Sequence, residues 1–437
     1  MLYLPNLIFA LLLTAGIVYF SKNVKKIIRN IKLGKNLNRS DQKNERWKTM
    51  FLVAFGQSKM VKRPIAGILH FIVYAGFIII NVEVLEIITD GLFGTHRAFS
   101  FLGVFYNFLI GSFEILAFLV LVSVTIFWSR RMILKIPRFW SKEMTEWPRH
   151  DALNILYFEM VLMSLFLIMN AADLNLQHLG AAHYKEAGSF PISQFIAPLL
   201  PQNVTSLIII ERTAWWIHIF GILVFLNYLY YSKHLHILLA FPNTYFSNLN
   251  PKGELNNLES ITKEVKLMMD PNANPYAEQD PNAVPEKFGA SDVMDLNWVQ
   301  LMNAYTCTEC GRCTGMCPAN QTGKLLSPRA IMMKTRDRIE EISKNIDANG
   351  SFQDDGKQLL NDFITPEELW ACTSCNACVE ECPVLIDPLS IIIDLRRYLV
   401  MEQSAAPAEL NTTMTNIENN GAPWQYSRMD RLNWKDE

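Results

Sequence analysis

Apolar and polar positions divide this chain into two unlike parts. Up to about residue 240 the apolar positions come in long, almost unbroken runs. Beyond it they are scattered among Pro, Asn and charged residues. Five runs, residues 2–20, 64–88, 104–128, 152–172 and 206–232, are long enough to cross a bilayer as helices, because about 20 residues at 1.5 Å rise span the hydrocarbon core. The first run has no basic stretch before it, and its positive charge follows it. It is therefore expected to stay as a membrane helix and not to be cleaved as a leader.

Lysine and arginine are unevenly shared among the connections. The segment after the first run carries Lys22, Lys25, Lys26, Arg29, Lys32, Lys35, Arg39, Lys43, Arg46 and Lys48, and the segment after the third carries Arg130, Arg131, Lys135, Arg138, Lys142 and Arg149. The other two loops hold only Arg97 and Lys185. Basic loops stay on the cytoplasmic side. The expectation is a multi-pass protein of a bacterial cytoplasmic (inner) membrane, with its N-terminus outside and everything after Tyr231 in the cytoplasm. Trp215 and Trp216, near the outer end of the fifth run, fit an interfacial aromatic belt.

The polar part has its own punctuation. Residues 243–290, including Asp270-Pro271-Asn272-Ala273-Asn274-Pro275, read as a connection and not a core. A helix is predicted over 327–345, with Pro328 in its first turn. Another is predicted from Thr365, an N-cap followed by Pro366 and the acids Glu367 and Glu368. Residues 389–403 also read as a helix, and no strands are evident. The domain reading is 1–240 for the membrane bundle, 241–292 for the linker, 293–405 for the soluble module and 406–437 for a tail that docks a partner.

Composition agrees with this split. The 437 residues are 50% hydrophobic and only 19% charged, against roughly 25% charged in a soluble chain. The net charge of −2 argues against nucleic acid as a partner.

All eight cysteines lie in the polar part. Cys307, Cys310, Cys313 and Cys317, followed by Pro318, have the spacing C-x2-C-x2-C-x3-C-P, and Cys372, Cys375, Cys378 and Cys382, followed by Pro383, repeat it 65 residues on. This is the spacing of two-cluster bacterial ferredoxins, in which the fourth cysteine serves the other cluster. One 4Fe–4S cluster is thus expected on Cys307, Cys310, Cys313 and Cys382, and a second on Cys372, Cys375, Cys378 and Cys317. Zinc would use pairs of cysteines set apart by a longer loop, and disulfides are disfavoured on the cytoplasmic side. The expected fold class is an all-α bundle of five transmembrane helices plus a mainly α-helical, ferredoxin-like domain with two 4Fe–4S clusters.

Three histidines stand out. His70 lies on the second predicted span near its cytoplasmic end. His218 and His236 lie on the fifth span or its extension, 18 residues apart, which is five turns on an unbroken helix, or about 27 Å along one face. Imidazoles on facing helices make axial haem ligands. His70 and His236 would hold one haem b, whereas His218 would serve a second, outer haem. Helix two offers Ile80 where that haem's other ligand would stand, which leaves His178, His183 or His96 in the outer loops, or no outer haem at all. His234 is expected to face solvent or headgroups. The competing reading is isolated membrane histidines hydrogen-bonded to their neighbours. Glu114, Glu159 and Glu211 are candidates for proton exchange with a quinone or, alternatively, for plain buried hydrogen bonds.

The segment Ser232-Lys233-His234-Leu235-His236 resembles the cytoplasmic haem-ligand segment of the nitrate reductase gamma-subunit family. That resemblance covers about residues 1–240 and implies five helices, b haems and exchange with quinol. Residues 290–435 resemble the iron–sulfur subunit of heterodisulfide-reductase-like complexes. The resemblance rests on the cysteine motifs and on Asp295-Leu-Asn-Trp-Val-Gln-Leu-Met-Asn-Ala-Tyr-Thr-Cys307, Gly323-Lys-Leu-Leu-Ser-Pro328 and Asp394-Leu-Arg-Arg-Tyr-Leu-Val400. A membrane branch of that family joins both modules to a cysteine-rich CCG domain and passes electrons from electron-transferring flavoprotein to menaquinone. The sequence has no CCG motif, so the resemblance implies a split system. Its partners would be a CCG-domain iron–sulfur protein, electron-transferring flavoprotein, or both, together with membrane lipid and menaquinone. An anchor and relay without its own quinone site is the alternative, and a redox sensor is a third reading.

Overall fold

The structure, a computed structural model, describes residues 3–271 and 287–436. The expected linker residues Asn272, Asn274 and Pro275 lie outside that range. Among the described residues five helices are long and apolar enough to cross a membrane. They are α1 (Leu4–Ile31), α2 (Pro64–Phe93), α3 (Val104–Met132), α4 (Trp147–His178) and α5 (Val204–Tyr228). Each observed helix runs past at least one end of its expected span, because its polar ends are still helical.

The helix ends follow local chemistry. Pro sits in the first turn of α1, α2 and α4, where its missing N–H costs nothing. Gly94 ends α2 in the left-handed conformation, at φ +71°. The Asn203 side chain caps α5 by accepting from the Ser206 amide at 2.8 Å.

The bundle is a closed ring, with α1 against α2 and α5, α2 against α3, α3 against α4 and α4 against α5. Its core holds Phe9, Ile110, Phe113, Phe166 and Trp215, while Ile68, Phe71, Leu85, Ile209 and Phe220 point outward. Trp215 departs from expectation. It is buried against Phe9, 5.6 Å between ring centroids, and so belongs to the core and not to an interfacial belt.

The soluble part is helical, with α6 (His236–Tyr245), α7 (Trp298–Thr306), α8 (Pro328–Asn349), α9 (Pro366–Trp370) and α10 (Pro388–Met401). Among the described residues there are only two isolated bridges, Lys35 with Asn297 and Leu360 with Ile364. The expected cap at Thr365 is present. Ser327 caps α8, and Thr365 and Glu368 form a capping box at α9.

One hydrophobic core crosses the junction, running from Ile27, Leu229 and Leu235 to Leu301, Ile331 and Ile392. The expected linker is tied down at both ends. Asn243 is buried and donates to the Val384 carbonyl at 2.7 Å, and Ala290 is fully buried. Between them lies a further helix, Glu259–Met269. The iron–sulfur side faces the basic ends of the bundle, as in the Lys26 and Arg29 contacts with Asp347 and the Arg63 contact with Glu381.

Candidate redox centres

The cysteines are positioned by the two copies of one backbone motif. Cys307 follows α7 directly, and Cys313 lies in the short helix Arg312–Met316. Glu309 and Gly311 between them are left-handed, at φ +54° and +72°. The second motif repeats this at the equivalent positions, with Ser374 at φ +55° and Asn376 at +60°. Such turns aim successive backbone amides at one point. The Ser374 amide reaches Cys372 Sγ at 3.4 Å, and the Ile386 amide reaches Cys382 Sγ at 3.3 Å.

Two cavities result. One, of about 390 Å³ counting its open mouth, is lined by Cys307, Cys310, Cys313 and Cys382. The other, of about 310 Å³ on the same basis, is lined by Cys317, Cys372 and Cys375. Cys378 stands between them and lines both. The last cysteine of each motif thus lies with the first cysteines of the other motif. All eight are free thiols. Among the described residues no three His, Cys, Asp or Glu side chains close around a single ion. A donor set spread around a cavity suits a multi-iron group better than one metal. Burial pushes the Cys307 and Cys378 thiols up to about 12 and Cys382 up to about 11, so these sulfurs would lose their protons on binding metal.

His70 and His236 are linked to the first cavity through neighbours, since Arg312 donates to the Met60 carbonyl just before α2 and Lys233 meets Glu309. The centroids of His70 and His236 are 6.4 Å apart and their planes are inclined by 42°. His236 Nδ1 is 3.1 Å from the Lys233 carbonyl, which orients the ring's other nitrogen.

His218 is not similarly paired. It is buried, its Nδ1 lies 3.0 Å from the Leu162 carbonyl, and its ring neighbour is Phe166 at 6.1 Å. Ile80 is packed into the core. His96 instead meets Asp173 at 3.2 Å and stacks near His183 and Tyr184.

The assumption of one unbroken helix from His218 to His236 also fails. After Tyr231 the backbone extends at Ser232 (φ −109°, ψ 147°), whose hydroxyl accepts from the His234 amide. The cause is tertiary. Asp151 at the start of α4 takes the Lys233 amide at 3.0 Å and the Tyr228 hydroxyl at 2.7 Å, which pulls the chain out of helical geometry. The break turns His234 inward, 5.2 Å from Phe225 and with Nε2 3.9 Å from Glu159, so it does not face headgroups.

The other carboxylates are spoken for. Glu114 accepts from Asn170 and from the Ile192 and Ser193 amides. Glu211 pairs with Arg212 and takes the Tyr184 hydroxyl at 2.9 Å. Both hold the far end of the bundle together beside a buried Arg97, which bonds Asp173 at 2.8 Å, Asn170 at 2.9 Å and Tyr106 at 3.2 Å.

Arg329, Glu309 and Arg336, around the first cavity, had no sequence signal. Arg329, 1% exposed, bonds the Arg138 carbonyl and Glu143, each at 2.7 Å, and its guanidinium packs on Gly311, where a Cβ would stand 2.5 Å from Nη1. Arg312 donates to the Lys59 and Met60 carbonyls just before α2. Lys233 meets Glu309, whose other oxygen meets Arg336. Burial alone would raise the Glu309 carboxyl; Arg336 and Lys233 outweigh it and hold it below its ordinary value. Lys252 pairs with Glu380.

Comparison with known proteins points to the same chemistry. Residues 303–386 match the 4Fe–4S dicluster domain family. The chain is similar to a probable iron–sulfur-binding oxidoreductase, FadF, of Bacillus subtilis, with 32% identity over 99% of this chain and 61% of that protein. It is similar to an EtfAB:quinone oxidoreductase of Syntrophomonas wolfei, with 26% identity over 92% of this chain and 55% of that protein. Over 27% of its length it is also 30% identical to one subunit of a CoB–CoM heterodisulfide reductase of Methanosarcina acetivorans, covering 60% of that subunit. The chain spans little more than half the length of the first two relatives. No solved structure matches it.

Proposed function

We propose that this protein is a membrane-bound electron-transfer subunit of an oxidoreductase, linking a soluble redox partner to the menaquinone pool. The observation that carries the reading is the series formed by two cysteine-lined cavities and the His70–His236 pair. Cys317, Cys372, Cys375 and Cys378 would hold the outer 4Fe–4S cluster, Cys307, Cys310, Cys313 and Cys382 the inner one, and His70 and His236 a haem b. Bound there, these groups would supply one-electron transfer in both directions. The exposed Cys375 marks the edge at which a partner would exchange electrons, whereas Arg312 and Lys233 join the inner loop to the segments bearing His70 and His236.

The partner class is a flavoprotein such as electron-transferring flavoprotein or a CCG-domain iron–sulfur protein. The similarity to an EtfAB:quinone oxidoreductase supports the first. The basic helix ends on the iron–sulfur side support a cytoplasmic location for that domain and an N-terminus outside. The unpaired His218 favours one haem over two.

The test is a reduced-minus-oxidised visible spectrum of the detergent-extracted protein, with iron and haem quantified, followed by addition of a menaquinol analogue. The expected result is about eight non-haem irons, one b-type haem, and reduction by the analogue. Absence of b-type absorbance overturns the haem assignment. Haem that no quinol analogue reduces overturns the quinone assignment.

A further inference from the structure

Glu309 is an unexpected residue to find where it is. It lies between Cys307 and Cys310, is 3% exposed, and is held in a left-handed turn. A carboxylate there opposes any group that gains negative charge on reduction. Its two oxygens are divided between two cations from different parts of the fold. One takes Lys233 and the other takes Arg336 of α8. Lys233 is itself buried, donates to the Pro148 carbonyl at 2.6 Å and stands 3.9 Å from Asp151. Its carbonyl faces His236 Nδ1. A buried ion network of this kind costs desolvation that a hydrophobic contact would not. Packing alone therefore does not account for charge at this junction.

We propose that the Lys233–Glu309–Arg336 network sets the reduction potential of the centre held by Cys307, Cys310, Cys313 and Cys382 and fixes its position against the segment bearing His236. These are positioning residues, and the inference rests on the redox reading above. In the low-dielectric interior the Glu309 charge makes adding an electron harder, and the Lys233 charge makes it easier. Because the two cations come from the membrane segment and from α8, movement of either part would be felt at the inner centre.

The test is a redox titration followed by electron paramagnetic resonance on the full chain, comparing wild type, Glu309→Gln, Lys233→Met and the double variant. The midpoint of the inner centre is expected to rise in Glu309→Gln and to fall in Lys233→Met. In the double variant it should return towards wild type, as coupled charges require. Glu309→Asp should stay near wild type. Shifts of the same sign in both single variants, or none in either, would overturn the proposal. Iron and haem are measured on the same samples. Iron lost from both single variants but kept in the double would support a charge-coupled pair, whereas iron lost from all three would reduce the network to a folding contact and overturn it. A wild type without iron would overturn the redox reading and this proposal together. A wild type with iron and no haem would overturn only the haem assignment, leaving the midpoint shifts to decide here.

Discussion

At the scale of single residues, the 6.4 Å between the His70 and His236 rings is the most consequential distance in the molecule. It yields a sharp expectation. His70→Ala and His236→Ala should each abolish the same b-type absorbance while leaving the non-haem iron unchanged. His218→Ala should leave that band in place, since its ring contacts Phe166 and no second histidine. Visible spectra of the three variants decide this. The cysteines carry a second expectation. Cys317→Ser should damage the centre of Cys372, Cys375 and Cys378, which belong to the other motif, and spare that of its sequence neighbours Cys310 and Cys313. Electron paramagnetic resonance with both centres reduced distinguishes the two, and loss of the neighbours' signal instead would refute the crossed arrangement.

At the scale of elements, the helix starts in the soluble part behave as local chemistry requires. Thr365 bonds the Glu368 amide at 3.3 Å, and the Glu368 carboxylate returns to the Thr365 amide at 2.9 Å. Thr365→Ala is expected to cost about 1 kcal/mol, seen as a lower midpoint in chemical denaturation. Because α9 runs into Cys372, the same change should speed loss of iron from the second centre before the first. The membrane elements behave differently. Runs of apolar residues specify that helices form and roughly where, but after α5 the chain leaves helical geometry at Ser232, whose hydroxyl accepts from the His234 amide and beside which Asp151 of another helix takes the Lys233 amide. The Ser232 contact is local, whereas the Asp151 contact comes from the start of the preceding membrane helix and leaves no trace in helix propensity along 206–236. That is why the face shared by His218 and His236 on an ideal helix is not realised, and why His234 points inward.

At the scale of the whole molecule, the membrane bundle and the iron–sulfur domain share one core and several buried arginine contacts. Arg329 is the clearest of these, inserted between the cysteine loop and the α3–α4 connection through the Arg138 carbonyl, Ser141 and Glu143. Arg329→Met leaves Glu143 without its cation, and removing one partner of a buried pair typically costs about 3–5 kcal/mol. The expected outcome is earlier, two-step thermal unfolding and faster proteolytic release of the iron–sulfur domain, with the iron of that domain retained at low temperature. A single unshifted transition would contradict it.

The sequence by itself determined the two-part architecture, the five membrane-length helices, the two cysteine motifs, the cap at Thr365 and the first-turn proline Pro328. Each of these depends on residues within a few positions of one another, or on a repeat that can be counted. Only the tertiary structure decided that the His70 and His236 ring centroids lie 6.4 Å apart, that Trp215 is core, that Asn243 and Ala290 are buried, and that Lys233, Glu309 and Arg336 meet. Those outcomes depend on groups far apart in the chain competing for the same hydrogen bonds and the same buried space, and that competition is settled only when the chain has folded.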